Sequence, residues 1–564
     1  LRSDNRREKI RHPKESGFFT LQMNQNLRSA ALQVCRAALP AALIVLGLIA
    51  AAGRAAATPT PAPINILTFH NDNMRSGLNP LETKLTPSNV NVSTFGKLFS
   101  YPVDGYLYAE PLYVSQLAIP GQGTHNVVYA ASEHDSVYAF DADGLVTTPL
   151  WQKSFIDPAN GITTVSALND VDCLNLVPEI GVTGTPVISL ANQALYVVSE
   201  TKDQNNETYA LELHALDLTT GAEKFGGPVP ISATVAGTGS GSVGGQVSFV
   251  PFLALQRPAL MFLNGVVYIA FGSNCDKGNY HGWVMAYDGL TLARKAVFNT
   301  TPNGSEGGIW QSGNGPSASL SGNVFVGIGN GTFNGTTDYG DSFVKLNPNT
   351  LRVIDYFTPS DQALLSELDD DGGITGAVLL PAQSSGPAAA EMMGGIKSGR
   401  FYLLNRASMG EFCASCNDSQ AIGINKTGFQ IFDAPAFAFG LVYLGGVGTH
   451  LKAWQILNGR MSGSPVAQSV TAYGYPGTSP AISSDGNVHR IVWALDVSGY
   501  GSGKPAVLHA YKYNLAGLYN SAGSGARDTA GPAVKFAVPT VANGKVYVGT
   551  QTELDVYGLL PATP

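Results

Sequence analysis

A chain of 564 residues is too long for one simple core unless its fold is repetitive. Its 65 glycines and 13% charged residues suit many short strands joined by tight turns, because glycine supplies the positive-φ positions that turns require. With residues 1–57 set aside as a leader, 24 basic and 38 acidic side chains give a net charge of −14, and no basic patch remains to hold nucleic acid.

Met23 opens a readable export signal. Arg28 and Arg36 supply positive charge, 37–52 form an apolar run, and Ala55-Ala56-Ala57 offers a small-residue cleavage site before Thr58-Pro59-Thr60-Pro61. Residues 1–22 read as an upstream extension, 23–57 as the signal, 58–95 as an extended N-terminal segment and 96–560 as one repetitive domain. The expectation is a periplasmic or secreted protein whose mature chain has no transmembrane segment. Four cysteines follow the leader. An even count in an exported chain permits two disulfides. Cys413-x-x-Cys416 is a loop staple or half of a metal site, and no second pair completes the latter. Cys173 and Cys275 are then left to each other.

The chain repeats itself. A strand ending in an apolar–small–apolar triplet recurs as Tyr138-Ala139-Phe140, His214-Ala215-Leu216 and Met285-Ala286-Tyr287. Val344-Lys345-Leu346 and Tyr402-Leu403-Leu404 continue it, and weaker copies are Lys452-Ala453-Trp454, His509-Ala510-Tyr511 and Tyr557-Gly558-Leu559. These eight copies stand 48 to 76 residues apart. Before most of them a proline opens an apolar strand, at Pro111, Pro186, Pro258, Pro316, Pro435, Pro480 and Pro539, where no ladder hydrogen bond is lost. A strand such as Val127-Val128-Tyr129-Ala130 lies between the two marks, and a fourth is visible at 150–153 and 295–298. Four-stranded units at this period are propeller blades. The fold class is therefore all-β, an eight-bladed β-propeller of four-stranded antiparallel blades, with seven blades as the fallback. The fifth unit, which lacks its proline and carries an insertion, is the doubtful one. The last unit has three strands and the first is preceded by a spare strand at 96–101. Pairing the two closes the ring and removes both edges. The Gly/Ser stretch 237–245 reads as a flexible surface loop.

The unit Ala215-Leu216-Asp217-Leu218-Thr219-Thr220-Gly221 has the Ala-x-Asp-x-x-Thr-Gly form of the quinoprotein repeat, and Asn73 to Phe99, with Ser88-Asn89-Val90 inside it, resembles the opening segment of such enzymes. The chain thus resembles the quinoprotein alcohol dehydrogenase superfamily, whose members bind pyrroloquinoline quinone and calcium over the propeller axis. The resemblance implies that Asp217 and Thr220 bond turn backbone and that Trp151 and Phe225 dock against the next blade. Gly307-Gly308-Ile309-Trp310 before Val326-Gly327-Ile328-Gly329-Asn330 makes Trp310 the residue stacking on the quinone and Asn330 a calcium ligand. Thr358-Pro359-Ser360-Asp361 matches the start of the family's acidic stretch, and Asp369-Asp370-Asp371 follows an insertion. Asp361, Asp369 and Asp371 are the candidates for the base that takes an alcohol proton. Lys397, in Lys397-Ser398-Gly399 leading to Asn405-Arg406, would contact the quinone oxygens.

The chain also departs from that pattern. Where many such enzymes carry adjacent cysteines it reads Asp172-Cys173-Leu174. Where they carry a glutamate calcium ligand, an ungapped match falls on Lys277, and only a one-residue shift to Asp276 supplies a carboxylate. There is no Cys-x-x-Cys-His haem motif, no Gly-x-Ser-x-Gly nucleophile elbow and no His-Glu-x-x-His zinc helix. His125, His134 and His281 have no visible ligand partners. Each candidate also has a packing or turn role open to it: Trp310 between blades, Asn330 in Gly329-Asn330-Gly331, Lys397 in a solvated turn, the aspartates in a loop. The leading expectation is an exported binding or scaffold module with a partly degenerate cofactor site, taking a small molecule, glycan or protein at its funnel. The alternative is a quinone- and calcium-dependent dehydrogenase of an alcohol or sugar, passing electrons to a separate carrier.

Overall fold

The computed structural model describes residues 63–561, so the expected leader lies outside the described residues. Eight antiparallel sheets follow one another along the chain and form an eight-bladed propeller. Each recurring triplet falls in the third strand of its blade, from Ser136–Asp141 in blade 1 to Glu553–Leu559 in blade 8. The opening prolines stand immediately before the inner strand in every blade that has one except blade 3, where Pro258 precedes Met261–Leu263 by two further residues. Blade 5 is complete despite lacking its proline: Val378–Leu379, Glu391–Gly395, Arg400–Asn405 and Gly423–Lys426 pair in order. The spare strand, Phe95–Pro102, pairs antiparallel with Glu553–Leu559, Phe95 opposite Leu559 and Pro102 opposite Glu553. The ring is closed without an open edge there.

Eight apolar clusters hold the ring, one between each pair of consecutive blades. Val127, Tyr129 and Ala139 of blade 1 meet Leu195, Val197 and Leu216 of blade 2, and Tyr547 and Val556 of blade 8 meet Val128 and Phe140 of blade 1. The repeat turns tie the blades further. Asp217 Oδ1 accepts from the Thr219 amide and hydroxyl at 2.9 and 2.6 Å. The indole N–H of Trp151, in blade 1, donates to Leu218 O of blade 2 at 2.9 Å. A Cβ on Gly221, whose φ is +69°, would sit 2.6 Å from that indole, so glycine is required both for the turn and for the docking. Phe225 packs into the cluster between blades 2 and 3.

The segment before the ring laces it together. Asn65 and Ile66 pair with the inner strand of blade 1. Leu67 O then accepts from Ile188 N–H of blade 2, and Asn73 Nδ2 donates to Phe262 O of blade 3. Carbonyls of Asn73, Met74, Ser76 and Gly77 accept from Ala318, Leu379, Phe437 and Ile482, in blades 4, 5, 6 and 7, at 2.7–2.9 Å. Asn79 Nδ2 finishes the circuit on Val541 O of blade 8 at 2.9 Å. Within this loop Phe69 packs on Ala259, Ala434 and Val538, so three separate blade entrances meet on one ring at the axis.

The stretch 237–245 differs from the flexible loop expected. It is the tip of a hairpin, Thr234–Ala236 with Gln246–Ser248, whose ends close through Gly237 N–H to Gly245 O. Gly239 and Ser240 amides donate to Pro302 O and Gly304 O, and His281 bonds Ser240 O and Thr301 Oγ1 at 2.9 Å each. Its glycines allow that close docking: a Cβ on Gly237 would collide with Pro302 O. No helix among the described residues is long and apolar enough to cross a membrane.

Candidate functional site

The chain passes from the outer strand of one blade to the inner strand of the next through connections that all return to the axis. Seven of these connections, together with the turns of blades 3 and 5, line a cavity of about 280 Å³. Its floor is the Phe69 plug, because cavity residues Arg257, Phe432 and Phe536 stand two positions before Ala259, Ala434 and Val538.

Trp310 comes from the connection between blades 3 and 4. Its indole lies on a bed of glycines: a Cβ on Gly272, Gly308 or Gly329 would approach it to 3.0, 3.1 or 3.2 Å. Asp369 and Asp371 come from the next connection, carried back to the axis by the helix Gln362–Glu367 and the turn after it. Asp371 Oδ1 accepts from the Asn330 amide at 3.3 Å and would touch a Cβ on Gly329. Lys397, at the turn of blade 5, donates through Nζ to Asp369 O and Oδ2, both at 2.7 Å, with Asp371 Oδ2 at 3.5 Å. The Lys397 amide also donates to Asp371 O, which fixes the two side chains against each other. Burial pushes the Asp371 carboxyl up to about 6; Lys397 pulls it down, while Asp369 and Asp276 push it further up. Burial pulls the Lys397 ammonium down, but its bond to Asp369 and the Asp371 charge leave it above the usual lysine range.

Asp276 lines the cavity and accepts from Ser273 Oγ at 3.0 Å. Lys277 turns away and donates to Asp172 O at 3.1 Å, so the residue presented to the axis is the carboxylate. Cys275 lines the same wall and is disulfide-bonded to Cys173, and Cys413 is bonded to Cys416. Trp310, Lys397, Asp369, Asp371 and Asp276 therefore meet at one cavity. Asn330 stands one hydrogen bond behind it, through its backbone. Asp361 is not brought in: it directly precedes Gln362–Glu367, without a side-chain capping bond, and pairs with Arg400 Nη1 at 2.8 Å, next to Asp418. Among the described residues no three Asp, Glu, His or Cys side chains are gathered closely enough to hold a metal ion. Lys397 stands where Asp369 and Asp371 would otherwise face one another.

Sequence reasoning missed Arg257, Asn175, Phe432, Tyr475 and Phe536, all cavity residues. One signal could have found most of them. The inner strands begin at the axis, so residues a few positions before each opening proline must face it, as Phe432 does before Pro435 and Phe536 before Pro539.

Three further acids are buried outside the cavity lining. Glu133 bonds the Gly181 amide and Thr183 Oγ1, Glu200 accepts from Asn274, and Glu110 accepts from the His70 amide. Burial raises Glu133 to about 7 and Glu110 and Glu200 to about 8. Each holds its proton more tightly folded than unfolded, so stability is lost as pH rises through these values. His70 and His509, held down by burial at about 3 and about 4, act in the opposite sense only below the usual histidine range. Thermal unfolding followed between pH 6.5 and 8 is expected to show Tm falling as pH rises; a rising Tm would contradict these assignments.

No family model and no curated protein sequence matches the chain. Solved structures do. The quinohemoprotein alcohol dehydrogenase ADHIIG from Pseudomonas putida HK5 aligns with TM-score 0.56 and 16% identity over 89% of this chain and 82% of its own. That of Comamonas testosteroni gives 0.56 and 17% over 91% and 82%. A europium-containing methanol dehydrogenase gives 0.57 and 14% over 88% and 98%. The protein is thus an eight-bladed propeller structurally similar to the quinoprotein alcohol and methanol dehydrogenases, a likeness of fold.

Proposed function

We propose that the axial cavity binds a flat, polyanionic ligand of the pyrroloquinoline quinone class. The observation that carries this is the convergence, from three separate parts of the chain, of an indole face, a lysine and a buried carboxyl on one small cavity: Trp310, Lys397 and Asp371. The indole has its other side supported by glycine backbone, which leaves one face for a planar ring. Lys397 would sit against the ligand's oxygens. At about 280 Å³ the cavity lies just below the roughly 300–1000 Å³ range of small-molecule sites, which suits a compact fused ring. Calcium fits less well, since Asp276, Asp369 and Asp371 surround the cavity without forming a ligand set, and no step below depends on it.

A second reading, oxidation of an alcohol or sugar, is favoured by Asp371. Such a quinone, when bound, supplies a hydride acceptor. The chain supplies the rest. Asp371, with a carboxyl raised to about 6, is ionised at neutral pH and takes the hydroxyl proton on an oxygen that faces the cavity. Lys397 holds its orientation through the side-chain contact and the backbone bond. The Phe69 plug keeps water from entering along the axis beneath. Electrons would leave to a separate carrier in a periplasmic or extracellular setting.

The test is dye-linked oxidation of primary alcohols and aldoses by the full chain loaded with the quinone, with and without calcium. Turnover that falls as pH drops through about 6 supports the base assignment. Quinone binding with no turnover of any alcohol or sugar leaves the binding reading and removes the enzymatic one.

A further inference from the structure

Two cations are buried beside the cavity without a counter-ion. Arg257 is 5% exposed and Lys535 is 4% exposed. Neither stands in a salt bridge among the described residues. The Arg257 guanidinium lines the cavity and donates through Nη2 to Ser312 O at 3.3 Å. It lies over the rings of Tyr108 and Phe536, at 5.8 and 5.2 Å from their centroids. Lys535 also stands by Phe536, 5.6 Å from that ring and 5.5 Å from Tyr500. Its Nζ donates to Asn175 Oδ1 at 2.7 Å, and Asn175 lines the cavity.

A buried charge without a partner costs several kcal/mol or neutralises, and aromatic faces return only about 0.5–2 of that. Glu133, the carboxyl whose charge reaches Arg257, makes no salt bridge with it: Oε2 accepts from the Gly181 amide and the Thr183 hydroxyl, and Oε1 is buried without a hydrogen-bond partner. Burial, with repulsion from Arg257, holds Lys535 down at about 8. A guanidinium carries five N–H donors in a fork that matches a carboxylate, and here most of them have no protein acceptor. On the far wall stand Asp276, Asp369 and Asp371 with Trp310 and with Lys397, whose ammonium is bonded to Asp369; Arg257, Phe432, Tyr475 and Phe536 line the rest. Of the two cations that line the cavity, Lys397 is paired with Asp369 while Arg257 has no carboxylate partner among the described residues, so Arg257 is the one left to receive an anion.

We propose that Arg257, backed by Lys535 and Asn175, is the receptor for a carboxylate group of the ligand that enters the axial cavity. That carboxylate belongs either to the quinone, in which case the inference rests on the function proposed above, or to a free planar carboxylic acid, in which case it stands without it. In both cases the cation wall sets the ligand's orientation and leaves its opposite edge toward Asp371.

Three probes separate these sources: pyrroloquinoline quinone, its trimethyl ester, and pyridine-2,6-dicarboxylate, each titrated into the full chain by calorimetry and tryptophan fluorescence. The expected result is that a carboxylate probe binds, that the ester binds at least tenfold more weakly than the free quinone, and that Arg257→Met lowers affinity for the carboxylate probe tenfold or more. Lys535→Met is expected to lower it several-fold. The ligand-free Tm of both variants should be equal to or above that of the parent chain, because each removes an uncompensated buried charge. Arg257→Lys keeps the charge and should retain part of the affinity, which reads the site even where methionine impairs folding. Binding of the dicarboxylate but not the quinone, with the same Arg257 dependence, keeps the receptor and removes the quinone reading. An ester that binds as tightly as the free acid, an Arg257→Lys variant and a Lys535→Met variant that both bind as the parent does, or no binding of any probe would overturn the proposal.

Discussion

Asp371→Asn is expected to lower alcohol or sugar oxidation by the quinone-loaded chain by about 10²–10⁴-fold, the range over which a positioned general base acts. Binding of the quinone should change by no more than a few-fold. Asparagine keeps the shape and an oxygen that accepts the Asn330 amide, but it cannot take a proton. Asp371 is the right residue for this test because it is buried, its pKa is lifted to about 6, and its neighbours hold it without neutralising it. Lys397 Nζ is closer to Asp369 than to Asp371, 2.7 against 3.5 Å, so Asp369 absorbs most of that charge. Asp369→Asn should therefore act differently. It frees Lys397 to pair with Asp371, lowers the pKa of the base, and moves the acid limb of the pH profile downward. Wild-type turnover in Asp371→Asn would remove it from the chemistry. A parallel Asp361→Asn variant is expected to change stability slightly through Arg400 and to leave turnover in place.

Arg75→Met is expected to cost about 3–5 kcal/mol of stability, because several buried carbonyls lose their donor at about 1–3 kcal/mol each. Arg75 is fully buried beneath the cavity. Nη1 donates to Thr68 Oγ1 and Phe69 O at 2.7 and 2.9 Å, Nη2 to Leu260 O and Pro316 O at 3.2 and 2.9 Å, and Nε again to Pro316 O at 3.1 Å. One side chain thus satisfies carbonyls from the lacing segment, blade 3 and blade 4. Methionine fills similar volume and leaves Phe69 O and Pro316 O without this donor and Leu260 O with only the long bond from Thr68 Oγ1 at 3.5 Å, each unmet carbonyl costing about 1–3 kcal/mol where no water replaces the bond. Burial holds the guanidinium down to about 10 while Asp72 and Glu110 raise it, so it stays charged at neutral pH. The readout is the denaturant midpoint, together with proteolysis after residues 64–82, which should become the first site of cleavage. A midpoint within experimental error of the parent chain would show that the lace is not held by this residue.

The ring was legible because a propeller states its rule many times. The triplet, the opening proline and the intervening strand recur, so single faults, such as the missing proline before Val378–Leu379, do not hide the pattern. The closing strand was legible from a shortage: a last unit one strand short and a spare strand at the start. The lace 64–82 was not legible, because it bonds every blade mainly through backbone carbonyls, and carbonyls leave no mark in the side-chain sequence. At the cavity, the resemblance singled out Trp310, Lys397, Asp369, Asp371 and Asp276, which do meet. It could not separate Asp361 from its neighbours, because the insertion forms a helix that turns Asp361 outward to Arg400 and brings Asp371 inward. Arg257 and Lys535 escaped because the reading followed the strands that recur, whereas these side chains lie in the connections just before Pro258 and Pro539, whose position recurs but whose residue types do not.

The most direct measurement is a crystal structure of the chain grown with pyrroloquinoline quinone and calcium. The account predicts planar density in the axial cavity, stacked on the Trp310 indole, with one edge toward Lys397 and Asp371 and a carboxylate toward Arg257. Density on another face of the ring, or an axial cavity holding only water at millimolar quinone, would contradict it.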